Sequence, residues 1–131
     1  MLKRRYSMIT LANDQKMLTI EFDDNSRYGL LSGFLLSEVH NFADWIKEHF
    51  DKVLSGKCES TTFSGNICDV EVTPSTTKVY DLFDDNEEPY KCEIDTKELR
   101  SLIDEWCEIS DKFKETGELP VPSEWIEDKL V

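Results

Sequence analysis

The sequence predicts an α+β fold, an antiparallel β-sheet meander with two amphipathic helices packed on one face. Apolar and polar residues alternate in several short runs joined by turn-forming residues, which implies antiparallel pairing. Two longer stretches repeat apolar residues at the three- and four-residue spacing of one helix face. A chain of 131 residues, 39% hydrophobic and 11% aromatic, has the material for a packed core. One domain over residues 1–131 is expected, with residues 117–131 as a C-terminal extension packed on it.

The first two strands run from Arg5 to Leu11 and from Met17 to Phe22. Leu18, Ile20 and Phe22 alternate with Met17, Thr19 and Glu21, the sign of a half-buried strand. Asn13-Asp14 suits a hairpin turn between them, and the run from Asp23 to Ser26 ends the pair. Tyr28 to Leu36 stays open between helix and buried strand. Gly29 and Gly33 weaken a helix there, and the apolar run suits either. From Ser37 the pattern is helical. Ser37 is the expected cap, with Glu38 in the first turn near the positive end of the dipole. Val39, Phe42, Ile46, Phe50 and Val53 share one face, and Gly56 closes the helix.

A run of strands follows. Ser60 to Phe63 leads into a turn at Ser64-Gly65-Asn66. Cys68, Val70 and Val72 then alternate with Ile67, Asp69 and Glu71, and Pro74-Ser75 turns the chain again. Thr77 to Phe83 and Tyr90 to Ile94 are the next strands, separated by the acidic loop Asp84 to Pro89. The second helix opens with Asp95 and Glu98 at capping-box spacing, or with Thr96 as its cap. Leu99, Leu102, Ile103, Trp106, Ile109 and Phe113 form its apolar stripe, and Gly117 ends it. Pro120 and Pro122 break any continuation; Ser123 then opens a last helical turn carrying Trp125, Ile126 and Leu130.

Charge narrows the function. With 28 Asp and Glu against 15 Lys and Arg, the formal net charge is -13. That excess repels phosphate backbones and anionic membranes and attracts basic proteins. The trio Lys3-Arg4-Arg5 is too short to be a nucleic-acid footprint. No apolar run of signal-peptide length follows the basic start, and no stretch is long enough to span a membrane, so a cytoplasmic protein is expected. Cys58, Cys68, Cys92 and Cys107 are widely spaced with no CxxC pair, and are expected as reduced thiols.

Catalytic and cofactor motifs are missing. His40 and His49 lie nine residues apart, which turns them to nearly opposite faces of one helix instead of the i, i+4 arrangement of a metal pair. The acidic loop fails as an EF-hand: counted from Asp81, Asn86 stands where the glycine belongs and Cys92 where the glutamate belongs. No GxSxG elbow, GxGxxG or Walker loop occurs. No enzyme, metal or cofactor is therefore expected.

The clustering of acids remains. If Cys68, Val70 and Val72 face the helices, Asp69 and Glu71 face the open side of the sheet. Asp81 follows on the next strand, and Asp84, Asp85, Glu87 and Glu88 extend from its end. Together with Tyr80, and with Phe83 and Tyr90 nearby, they form one expected acidic surface. It is either a solvated face or a docking patch for a basic partner.

The stretch from Ser37 to Trp106 resembles two related groups of small bacterial proteins. The shared run is a helix, then Ser64-Gly65-Asn66 with Cys68, Val70 and Glu71, then Thr77-Lys78-Val79-Tyr80-Asp81, then Thr96-Lys97-Glu98-Leu99 opening a helix that contains Trp106. One group is the YacL-like proteins, which have no settled activity. The other comprises acidic immunity proteins that neutralise polymorphic toxins, including those of contact-dependent growth inhibition. The resemblance to the second implies an inhibitor of a basic toxin, such as a nuclease, that works by binding. The resemblance to the first implies a cytosolic accessory protein. A small enzyme with an unrecognised carboxylate or thiol site is the third reading.

Overall fold

The computed structural model describes residues 1–88 and 90–129. Strands β1 (Arg4–Thr10) and β2 (Lys16–Phe22) pair as a hairpin. A helical stretch follows: α1 (Asn25–Gly33), a π-helical turn (Phe34–Val39) and α2 (His40–Leu54). Strands β3 (Thr61–Ser64), β4 (Cys68–Val72), β5 (Thr76–Asp81) and β6 (Lys91–Asp95) then form an antiparallel meander, and α3 (Thr96–Thr116) follows directly. The α+β class and its antiparallel pairing hold. The strands divide into two sheets, the hairpin standing apart from the four-stranded meander.

The core lies between the helices and one face of the meander. Val70, Val72, Val79, Cys92 and Ile94 meet Ile46, Phe50 and Val53 of α2 and Leu99, Leu102, Ile103, Trp106 and Ile109 of α3. Both expected helix stripes are thus core, except at the exposed Phe42 and at Phe113, which is half-buried against its edge. Asp95 caps α3 by accepting the Glu98 N–H at 3.0 Å, and Gly117, at φ 72°, ends it.

One open stretch is resolved and two local expectations are corrected. The open stretch from Tyr28 to Leu36 is helix and π turn, not strand. Leu31, Phe34, Leu35 and Val39 are buried at helical spacing, and that burial outweighs the roughly 1 kcal/mol that each of Gly29 and Gly33 costs in a helix. Consequently Ser37 caps nothing and Glu38 is in no first turn; both lie inside the helical stretch. The cap is Asp24, whose side chain accepts the Arg27 N–H at 3.2 Å. No helical turn forms after Ser123 among the described residues. Ile126 instead bridges Arg4 through paired backbone hydrogen bonds of 3.0 and 2.8 Å. Leu130, expected in that turn, and Pro89 of the acidic loop lie outside the described residues.

The chain end is anchored by a buried ionic cluster. Arg4 and Glu105 are both fully buried. The Arg4 Nε donates to Glu105 Oε2 at 2.7 Å, and its Nη2 donates to Glu105 Oε1 and, at 2.8 Å, to the Asp128 carbonyl. The Tyr6 hydroxyl also donates to Glu105 Oε2, at 2.7 Å. Burial pushes the Tyr6 phenol well up, with the Glu105 charge adding to it.

Candidate functional site

The acids singled out from the sequence do not share one face. Register pairs Asp69 with Tyr80 and Glu71 with Lys78, and these four side chains point to the open side of the meander. The same ladder continues onto β6, where Tyr80 meets Lys91 and Lys78 meets Glu93. Lys78 and Lys91 therefore interleave with the acids, and Lys91 pairs with Glu93 at 3.3 Å. Asp81 is adjacent to Tyr80 in the strand, so the pleat turns it to the other side, opposite the buried Cys68. Its carboxylate accepts the Phe83 N–H at 2.9 Å and holds the bend that leaves β5.

The acidic loop is braced from within. Asp84 accepts the backbone N–H groups of Tyr90 at 2.8 Å and Asn86 at 3.1 Å, which holds its pKa below the ordinary carboxylate value. The Tyr90 hydroxyl reaches the carbonyls of Ser26 at 2.7 Å and Arg27 at 2.8 Å, fastening the loop to the start of α1. Asp84 is thus a scaffold residue. Asp85, Glu87 and Glu88 are exposed, as is Phe83 at 76%.

The meander brings this loop beside the β3–β4 turn, because β4 begins where β5 ends. The Leu82 N–H donates to the Ile67 carbonyl at 3.0 Å. Above that turn lies the start of α2. The π turn is marked by the His40 N–H donating to the Leu35 carbonyl, five residues back. Phe42 follows with non-helical φ/ψ of -133° and 33°. The kink turns Phe42 outward, against the expectation that it joins the core stripe. Phe42 and Trp45 are 43% and 45% exposed, and their rings meet edge to face at 6.5 Å. Trp45 also packs on His49 at 4.6 Å and on Phe63 of β3 at 5.3 Å. With Ser64, Gly65 and Asn66 the two exposed rings line a groove of about 270 Å³.

Glu38 lies beneath this turn, 1% exposed. Its Oε1 accepts the Asn66 N–H at 2.8 Å, and its Oε2 has no hydrogen-bond partner among the described residues. Gly65 leaves room for this carboxylate, since a Cβ at that position would stand 1.1 Å from Glu38 Oε2 and displace it. Sequence reasoning missed this groove because it depends on α2 lying against the β3–β4 turn. The hint was an acid at a helix position flanked by core residues.

His40 is exposed, and His49 is half-buried with its Nδ1 3.0 Å from Thr61 Oγ1. Among the described residues no group of three or more His, Cys, Asp or Glu side chains is placed to hold a metal ion. All four cysteines are free thiols. Burial pushes Cys68 up from the ordinary 9.0 to about 12 and Cys92 to about 11, with neighbouring acids adding to the first. These thiols are poor nucleophiles at neutral pH. Because their pKa values are raised on folding, the unfolded chain loses these protons first. Their contribution to stability is full below about pH 8, begins to fall near pH 9 and is lost as pH rises through 11 to 12. Denaturation midpoints taken from pH 8 to 10.5 should decline, and replacing Cys68 with Ala should flatten the decline. Thiol titration should count four groups in the unfolded chain, with Cys68 and Cys92 the slowest in the folded protein.

Among the described residues no helix is long and apolar enough to cross a membrane. A Bacillus cereus protein named immunity protein is 34% identical to this chain over 113 residues, covering 86% of this chain and 93% of that protein. No family model matches the sequence, and no solved structure matches it.

Proposed function

The chain belongs to the immunity-protein family of this Bacillus cereus relative, and from that premise we propose that it binds and neutralises a cognate basic bacterial toxin, a nuclease, through its acidic surface. Kinship over most of both chains is the observation that carries this reading. The net charge of -13 supplies the sign of the partner. A nuclease carries a cationic cleft for its phosphate substrate. An acidic inhibitor is attracted to that cleft and competes with nucleic acid for it. The protein acts by binding, without catalysis, in the cytoplasm, where its thiols stay reduced. The toxin is of the polymorphic class, delivered as in contact-dependent growth inhibition.

The proposed contacts are Asp69, Glu71 and Tyr80 on the open sheet face, Asp81 at the end of β5, and Asp84, Asp85, Glu87 and Glu88 in the loop beyond. Their roles differ. Asp81 and Asp84 hold the loop in shape, so the exposed Asp85, Glu87 and Glu88 steer the encounter. Reversing those three to Lys should slow association with the toxin by about tenfold or more at low salt. The folding midpoint should barely move, since the loop charges are solvated. The test is co-expression with the toxin encoded beside this gene, scoring growth, together with the association rate of the purified pair. Unaltered protection and an unaltered rate would remove the loop from the interface. If no toxin is encoded there and no basic protein co-purifies, the YacL-like accessory reading takes its place.

A further inference from the structure

The groove between the kinked start of α2 and the β3–β4 turn carries features that the acidic loop lacks. We propose that it is the anchor of the interface, taking a cationic segment of the toxin with an Arg or Lys side chain over Trp45. This rests on the reading above and adds where the toxin is held.

Trp45 and Phe42 stand out as a contiguous pair of exposed rings on a helix whose other exposed residues are polar or charged. Aromatic centres with polar rims are the anatomy of protein interfaces, and Trp is enriched among the residues that dominate binding. The charges around the groove specify the partner. Asp69 lies across the turn, where it accepts from the hydroxyl of Ser64 at the groove's edge, and Asp44, next to Trp45 in α2, is exposed on the adjoining side of that helix. Beneath the Gly65 floor the buried Glu38 carboxylate adds negative charge, its Oε2 having no hydrogen-bond partner among the described residues. The lysines of α2 are engaged elsewhere, Lys47 with Asp104 at 3.6 Å and Lys52 with Glu48 at 3.2 Å. A cation brought over the Trp45 ring gains a cation–π contact in a field made negative by Asp69 at the groove's edge and by Asp44 further along the helix. A second copy of this chain is disfavoured as the occupant, because it would bring Asp44 and Asp69 against their equals at -13 apiece.

Position supports the same occupant. The groove and the acidic loop share one end of the meander, joined through the Leu82–Ile67 hydrogen bond. A basic toxin steered by Asp85, Glu87 and Glu88 arrives beside Trp45. The two parts then have separable kinetic roles: the loop sets the association rate and the groove sets the dissociation rate.

The test measures binding of the catalytic domain of the toxin encoded next to this gene to wild type, Trp45→Ala, Trp45→Phe and Asp44→Lys. Trp45→Ala should weaken binding at least about 30-fold, mostly by faster dissociation, and Trp45→Phe should recover part of the loss. Asp44→Lys, on an exposed site with no bearing on the core, should weaken binding even if Trp45→Ala proves unstable. Wild-type kinetics for both Trp45→Ala and Asp44→Lys would overturn the groove as anchor while leaving the immunity reading intact. Wild type that fails to bind the toxin would overturn that reading, and this inference with it. Sedimentation showing a wild-type dimer that Trp45→Ala dissolves would make the groove a self-interface and also overturn the proposal.

Discussion

Replacing Arg4 with Ala should destabilise the fold by about 3–5 kcal/mol, read as a lower midpoint in chemical denaturation. That is the range for breaking a buried ion pair from one side. Arg4 and Glu105 are both without solvent exposure, so truncating Arg4 leaves the Glu105 carboxylate buried without its guanidinium. The same change removes the donor to the Asp128 carbonyl, so residues 118–129 should also become more sensitive to protease. The physical cause predicts a second result. Replacing Arg4 with Met, Tyr6 with Phe and Glu105 with Leu together should recover most of the loss, because apolar packing replaces a buried pair at little or no cost. A triple variant as unstable as Arg4→Ala would mean that the cost lies in the lost guanidinium hydrogen bonds to the Leu2, Ile126 and Asp128 carbonyls.

Trp106→Ala should cost a similar 3–5 kcal/mol, as expected for a large buried aromatic. Trp106 is buried in the middle of the α3 stripe and stacks on Tyr6 at 6.3 Å with the planes 18° apart. It therefore ties the hairpin to α3 as well as filling the core. Thermal or denaturant unfolding measures the loss. An unchanged midpoint would mean that the stripe is not the core.

Much of this fold was legible because local and tertiary preferences agree. The alternation at β2 and β4, the α3 stripe and the terminal Gly117 each follow from one period or one turn residue. The helical stretch from Asn25 to Leu54 was harder to read. Its π turn inserts a residue, so Leu31, Phe34 and Leu35 do not continue in phase with Ile46, Phe50 and Val53. Phe42 sits at the following kink, where an apolar residue leaves the core, and the stripe wrongly included it. Arg4 stood out in the sequence only as part of a basic trio, although its alternation with Tyr6 puts both on one strand face. Glu105 likewise falls between Leu102 and Ile109 on the buried stripe. A charge at a core position on each of two elements is the sequence mark of such a pair.

The candidate site divides along the same line. Asp69 and Glu71 on the open face follow from the alternation with Cys68, Val70 and Val72. Placing Asp81 on the same face as Tyr80 conflicted with the pleat, because adjacent strand residues point oppositely. The Trp45 groove draws on α2 and on a turn that lies about twenty residues further along the chain, and that juxtaposition is tertiary.

The central claim is that charge brings this protein to a basic toxin and that binding alone neutralises it. The most direct measurement is the association rate of the purified chain with its cognate toxin, across ionic strength. Salt screens charges over about 8 Å at physiological strength. The account predicts a rate that falls steeply with added salt, a dissociation rate that changes little, and loss of toxin activity at one-to-one stoichiometry. An association rate indifferent to salt, or toxin activity that survives saturation with the protein, would contradict it.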